Sequence, residues 1–331
     1  MISSIDVLGI GLNATDTLLL LDEFPPYAGK VAFQKELTSV GGQVATAMVS
    51  CARLGLKAAY IGTVGDDDRG KLQRDSLEQA GVDISGLLVR ERCANQTAYI
   101  LIDTRTGERT VLWQRPDCLR LGSRDIRPEA VTAARMLHLD GYDVEAAEYA
   151  AALAKQHGIP VSLDVDTVYP DFERVLKNIS HLVASSSWPG KWTGEEDPFQ
   201  ALPILYREYG LTIAAMTLGR HGALALAHGQ WHYSPAFEVE CADTTGAGDV
   251  FHGAFCYALL TGMTLDAALD FANAAAALNC TAIGARGRLA GLSEVLALQA
   301  SAAAGKTRRH AAPEMARRAG RHVSIVVGAK P

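Results

Sequence analysis

Short β-branched runs separated by longer stretches of helical spacing set the rhythm of the chain. DVLGIGL, AAYIGTV, ARMLHLDG, IPVSLDV, HLVAS and TIAAMTLG alternate with stretches at Gln43–Leu54, Gly70–Ala80, Val144–His157, Phe199–Tyr209, Ala247–Leu260 and Leu265–Asn279. Alternation of this kind predicts an α/β fold, a mostly parallel sheet with helices on both faces. KQHGIPV and ARLGLKAAY each close a helix with a polar turn and a glycine and lead straight into a strand. Two segments break the rhythm: Lys30–Gly42 and Thr97–Pro116 have strand chemistry with no helix between, and the second reads as a hairpin turning near Thr104–Gly107. They form either a small β-sheet projecting from the main domain or edge strands of the main sheet.

The 331 residues suffice for one large α/β domain or two smaller ones. No internal repeat or linker is visible before about residue 300, so residues 1–300 read as the domain and 301–331 as an extension. The net charge of −6 implies no general affinity for nucleic acid. Lys306–Pro331 is the exception, with seven Lys/Arg against Glu314, leaving the rest of the chain at −12; it reads as a solvated basic appendage that is possible to lose from the domain as disorder. The N-terminus reads as a first strand rather than a signal peptide, and no apolar stretch is long enough to span a membrane. The six cysteines include no C-x-x-C pair, which predicts free thiols in a reducing cytoplasm and no disulfide.

DTTGAGDVFHGAF, residues 243–255, raises a chemical question. Glycine costs about 1 kcal/mol relative to alanine inside a helix, yet Gly246 and Gly248 stand where one starts. The first N–H groups of a helix lack intrahelical partners and carry partial positive charge. Glycines there let an anion touch the backbone, while Asp243, Thr244 and Thr245 are placed to cap the turn. Asp249 would repel that anion unless it removes a proton from an attacking hydroxyl. The alternative is an acid-capped helix with a glycine turn. No Gly-Lys-Ser/Thr follows, so this is not a Walker loop.

The stretch closely resembles the C-terminal signature of the ribokinase-like (PfkB) carbohydrate kinases. GGQVATAMVSCARLGLKAAYIGTVGDDDRG (41–70) resembles the N-terminal signature, and GLNATDTLLLLDEFPPYAGK resembles the first strand with its substrate-binding aspartate. TLGRHGAL (217–224) is similar to the strand and turn that carry nucleotide phosphates. The resemblance covers about Asp6–Leu296. It implies a three-layer α/β/α fold with a small β-sheet lid. It also implies Asp249 as general base and Gly246, Ala247 and Gly248 as the anion hole. ATP would lie over Thr217, Gly219 and Gly222, with Asp243 and Thr244 at the phosphates and adenine near Ala276 and Asn279. The acceptor would meet Asp16, Asn13, Gly41, Gly42, Gln43 and Thr46. Mg²⁺ is expected with ATP.

Two positions depart from the family pattern. Thr46 stands where an asparagine is usual, and Ser185 and Trp188 stand in place of an Asn-x-x-Glu motif linked to Mg²⁺. Asp164 or Asp166 in SLDVDT is then expected to support the Mg²⁺ water shell. These departures resemble the ketohexokinase-like and sulfofructose-kinase-like branch. Lys30, Gln34, Trp113, Gln114 and Arg115 on lid strands are candidate acceptor contacts, and Lys30 with Arg115 would suit an acceptor bearing phosphate or sulfonate. Tyr142 and Asp143 could line the sugar pocket. The expected activity is ATP-dependent phosphorylation of a sugar hydroxyl. A nucleoside or pyrimidine-alcohol kinase and a non-catalytic binding protein are the alternatives. The resemblance further implies a homodimer paired through the lid, with no nucleic-acid or membrane partner.

Overall fold

The computed structural model describes residues 5–320. The chain opens with β1 (Ile5–Ile10), then leaves the main sheet for β2 (Ala14–Leu21) and β3 (Lys35–Gly41). It returns for β4 (Ala58–Gly65) and β5 (Asp83–Arg90), and leaves again for β6 (Thr97–Asp103) and β7 (Arg109–Gln114). The remaining main-sheet strands are β8 (Ala134–Leu139), β9 (Val161–Val165), β10 (His181–Ser185), β11 (Ile213–Thr217), β12 (Ala223–Ala227) and β13 (Gln230–Ser234). The nine-stranded sheet has the order β13-β12-β11-β10-β9-β8-β1-β4-β5, and only its β12 and β13 pairings are antiparallel.

Helices cover both faces of this sheet, which is why its inner strands read as continuous apolar runs: every residue of β4 and β9 is buried. Helix Val144–Gln156 lays Ala146, Ala147, Ala150, Ala151 and Ala154 on one face at helical spacing. Helices Gln43–Arg53, Ala247–Leu260 and Leu265–Asn279 pack on the other. The three layers follow directly from the strand and helix alternation.

The projecting sheet is four-stranded, in the order β3-β2-β6-β7. It encloses a small core of Leu18, Leu20, Ala98, Ile100 and Ile102, onto which Leu37 and Ile283 pack. Two boundaries differ from the sequence reading. The first lid segment, read from Lys30, becomes a strand only at Lys35, and β2, which reads as part of the first strand region, belongs to the lid. The reason is tertiary: β2 finds β3 antiparallel and β6 in parallel, pairings that a run such as TLLLL does not announce.

The cysteine expectation is corrected at one pair. Cys93 and Cys118 form a disulfide across 25 residues, whereas Cys51, Cys241, Cys256 and Cys280 are free. The partners lie in connections after β5 and β7, and spacing alone could not reveal that these meet.

The C-terminal segment is corrected too. Through residue 320 it is folded onto the domain. Arg309–His310 pairs with Ala236–Phe237. Arg309 bonds Asp270 at 2.6 Å and stacks over Phe237, and Arg318 bonds Asp197 at 2.7 Å and stacks over Phe199. Two arginines that look like part of a solvated tail are thus spent on acids and rings of the domain. Arg321 and Lys330 lie outside the described residues. Among the described residues, no helix is long and apolar enough to cross a membrane.

Candidate active site

The chemistry-bearing residues gather where the parallel strands end, the edge at which open α/β sheets bind ligands. Asp164 lies near the end of β9, Ser185 ends β10 and Thr217 ends β11. A cavity of about 720 Å³ opens there, with the lid strands on one side and helix Ala247–Leu260 on the other.

Gly246 caps that helix in the left-handed region, at φ 73°, and a Cβ there would lie 2.4 Å from the carbonyl oxygen of Ala285. A Cβ on Gly248 would meet nothing within 4 Å. Gly246, Ala247 and Gly248 all line the cavity; the Ala247 N–H donates to the Thr244 carbonyl at 3.3 Å, and the Gly246 and Gly248 N–H groups are left to it. Asp243 is a buried clamp rather than a lining residue. Its Oδ1 accepts from the Thr245 amide and hydroxyl, and its Oδ2 accepts from the Gly284 amide at 2.8 Å. Thr244 joins the lid: its Oγ1 accepts from Arg109 Nη1 at 2.6 Å and donates to the Gly107 carbonyl.

Asp249 lies one turn into the helix and opens on the cavity. Burial pushes its carboxyl well above the ordinary value, and the nearby Asp164 and Asp166 add to this against Arg109 and Arg286. Asp164 is also raised, first by burial and then by Asp166. His252 Nε2 lies 3.0 Å from Asp164 Oδ1. Burial pulls His252 down to about 3, so the ring is neutral. Asp164 and Asp166 offer hard oxygen donors beside Asp249, a set that fits Mg²⁺. No group of three or more His, Cys, Asp or Glu residues among the described ones could hold a metal unaided, as suits an ion that keeps waters and phosphate ligands.

At the acceptor end, Asp16, Gly42 and Gln43 line the cavity. Asp16 is 4% exposed, and burial raises its carboxyl to about 7, with Arg286 opposing and Asp249 and Asp243 reinforcing. Three predicted acceptor residues lie behind this wall. Asn13 Nδ2 donates to the Tyr60 hydroxyl and the Thr63 carbonyl. Thr46 is fully buried and accepts from Arg286 Nε. Gly41 turns its carbonyl to Gln73 and Arg286.

Of the lid candidates, Trp113 reaches the cavity. Arg115 does not: it is held by Asp143 at 2.7 Å, and both side chains are nearly buried. Gln34 bonds Asp22. Lys30 and Gln114 are also absent from the lining, so the predicted anionic-acceptor pair does not assemble. Tyr142 does line the cavity, whereas Asp143 is committed to Arg115.

At the other end, Thr217, Gly219, Gly222 and Ala276 line the cavity as expected. Asn279 does not, because its Nδ2 braces the Thr245 and Ala285 carbonyls. Trp188 is buried with its Nε1–H on the Thr167 carbonyl, and Ser185 alone of that departed motif faces the cavity. Sequence reasoning missed Arg109, Arg286, Tyr169, Phe237 and His310 here. The first two carry no local motif, and the last two meet only when the C-terminal segment folds back.

A sequence model of the pfkB family of carbohydrate kinases matches residues 6–290. An ATP-dependent ribose-1-phosphate kinase of Halopiger xanaduensis is 30% identical over 282 residues, 85% of this chain and 93% of that protein. A crystal structure of an Agrobacterium tumefaciens protein assigned as a ribokinase superposes with TM-score 0.83 at 31% identity, covering 90% of this chain and 98% of that one. An Escherichia coli protein assigned as ribokinase II, crystallised with ATP and Mg²⁺, gives TM-score 0.78 at 22% identity, with coverage of 89% and 99%. With its glycine-opened helix, buried acids and lidded cavity, the chain belongs to the pfkB family of carbohydrate kinases.

Proposed function

We propose that the cavity transfers the terminal phosphoryl group of Mg·ATP to a hydroxyl of a sugar or sugar derivative, with Asp249 as the base. One observation carries this reading: Asp249 and Asp16 open on the same cavity as the bare backbone of Gly246–Gly248. Asp16 accepts hydrogen bonds from a vicinal diol of the acceptor. Asp249 takes the proton of the attacking hydroxyl, and its raised affinity for protons suits that task. The amides of Gly246 and Gly248 donate to the transferred group, and Arg109 brings positive charge from the lid. Thr217, Gly219, Gly222 and Ala276 hold the nucleotide. Asp164 and Asp166 would support Mg²⁺ arriving with ATP, which would supply positive charge to the phosphates.

A second reading of the acceptor is favoured by a specific feature. Trp113 and Tyr142 stand edge to face with ring centroids 6.0 Å apart, and Tyr142 and Tyr169 do so at 5.2 Å. With Ala98, Ile100 and Val111, these rings make an apolar wall across the lid from Asp16. Such a wall fits a sugar carrying a flat apolar group, as a nucleoside does.

Release of ADP from Mg·ATP, followed against aldoses, ketoses, their phosphates and nucleosides, tests both readings. Turnover with a free sugar supports the first, and turnover confined to nucleosides supports the second. Silence on all acceptors with ATP still bound favours a binding protein without turnover. A homodimer through the outer lid face, where Tyr99 and Leu112 are exposed, belongs to the same proposal and is read from the mass in solution. So does a cytoplasmic location, against which a formed Cys93–Cys118 bond would weigh.

A further inference from the structure

Arg286 lies in the loop after helix Leu265–Asn279, behind the acceptor wall. Its Nε donates to Thr46 Oγ1 at 3.2 Å and its Nη1 to Ser76 Oγ at 3.1 Å. Its Nη2 donates to the Gly41 carbonyl at 3.0 Å and to Gln73 Oε1 at 3.4 Å. All four acceptors are neutral, and no carboxylate among the described residues comes within ion-pairing distance of it. A guanidinium withdrawn from water without an anion partner is costly, and burial pulls Arg286 down to about 10. The fork is instead fixed on the strand–helix turn at Gly41. A Cβ at Gly41 would lie 2.3 Å from Asp16 Oδ2, so this turn is also the surface on which the Asp16 carboxyl rests.

We propose that Arg286 is a positioning residue of the acceptor site: its guanidinium locks the Gly41 turn under Asp16 and supplies the fixed positive charge that keeps Asp16 a hydrogen-bond-accepting carboxylate. The proposal rests on the reading of Asp16 as the acceptor's ligand. The charges of Asp249 and Asp243 raise the Asp16 carboxyl and that of Arg286 lowers it. Tyr60, Asp16 and Asp249 in turn favour the charged form of Arg286. Three acids crowding one site would drive protons onto each other. Arg286 opposes this at Asp16 and Asp249 together, which links acceptor binding to the readiness of the base. Removing the charge therefore raises the pH at which Asp16 ionises, and acceptor binding near neutrality weakens while recovering at higher pH.

Carboxyl-labelled aspartate in the full chain, titrated by ¹³C NMR with Asp16→Asn assigning the signal, tests this without any acceptor. Arg286→Gln is expected to move the Asp16 midpoint upward by about one unit or more. Arg286→Lys, which keeps the charge and loses the fork, is expected to leave the midpoint in place. In parallel, the KM for D-ribose and for adenosine is expected to rise about fivefold at pH 7 in Arg286→Gln and hardly at all at pH 9, because a one-unit rise from about 7 takes the ionised fraction at pH 7 from about a half to about a tenth. An unmoved Asp16 midpoint in folded Arg286→Gln overturns the proposal. If that variant does not fold, a midpoint raised by a unit in Arg286→Lys, with its charge retained, overturns it instead. A shifted midpoint with an unchanged KM in Asp16→Asn would leave Arg286 its effect on Asp16 and remove Asp16 from the acceptor, which separates the two readings.

Discussion

His252 Nε2 lies 3.0 Å from Asp164 Oδ1, and both side chains are almost wholly buried in the cavity wall. The close imidazole braces an acid that Asp166 crowds, and burial keeps that imidazole neutral. His252→Phe fills the space without the ring nitrogens. It is expected to cost about 1–3 kcal/mol in urea unfolding, the worth of a buried polar group left without its partner. If Asp164 supports Mg²⁺ through its waters, the half-saturating Mg²⁺ concentration should also rise about tenfold, as loss of an outer-shell partner does elsewhere. A stability loss with unchanged Mg²⁺ dependence would leave Asp164 a structural role only.

His181 is buried at the start of β10, with Nδ1 at 2.7 Å from Ser180 Oγ, and burial lowers it to about 4. The unfolded chain binds a proton there near pH 6.5 and the folded chain does not until about pH 4. Stability from the neutral ring is thus complete above pH 6.5 and falls away as pH drops towards 4. His181→Gln removes the titration, so between pH 7 and 4 its stability should decline by about 3 kcal/mol less than that of the wild type. Parallel stability–pH curves would contradict this.

Ending the chain at Gly305 removes the Arg309–His310 pairing, the stacking of Arg309 on Phe237 and the place of His310 in the cavity wall. The loss falls on the nucleotide end. The KM for ATP is expected to rise roughly fivefold, about 1 kcal/mol, while the KM for the acceptor stays within a factor of two or so. An ATP KM unaffected by the truncation would separate the segment from the nucleotide.

Titration of thiols in denaturant without reductant is expected to find four, for Cys51, Cys241, Cys256 and Cys280, and six after reduction. Six before reduction would mean that Cys93 and Cys118 remain thiols in the isolated protein.

The three layers and the glycine-opened helix were legible because their signals are local. Strand and helix alternate in composition, and Gly246–Asp249 place bare backbone beside an acid within four residues. Asp16 was singled out through resemblance, and it lies buried in the cavity wall. The misplacements share a cause. Asn13, Thr46, Asp243 and Asn279 are polar residues inside signature stretches, and sequence does not say whether such a side chain faces a ligand or braces the loop that does. Arg115 carries charge that suits an anion, yet Asp143, 28 residues on, neutralises it. Arg286, Phe237 and His310 became visible only when distant segments met.

The central claim is that Asp249 removes the acceptor's proton beside the Gly246–Gly248 backbone. Asp249→Asn keeps the shape of the side chain and takes away its basicity. With an acceptor that the wild type phosphorylates, the account predicts kcat lower by about two to four orders of magnitude, with ATP affinity within a few-fold of the wild type. A kcat within tenfold of the wild type would contradict it, because the acid one turn into that helix would then do no more than cap it.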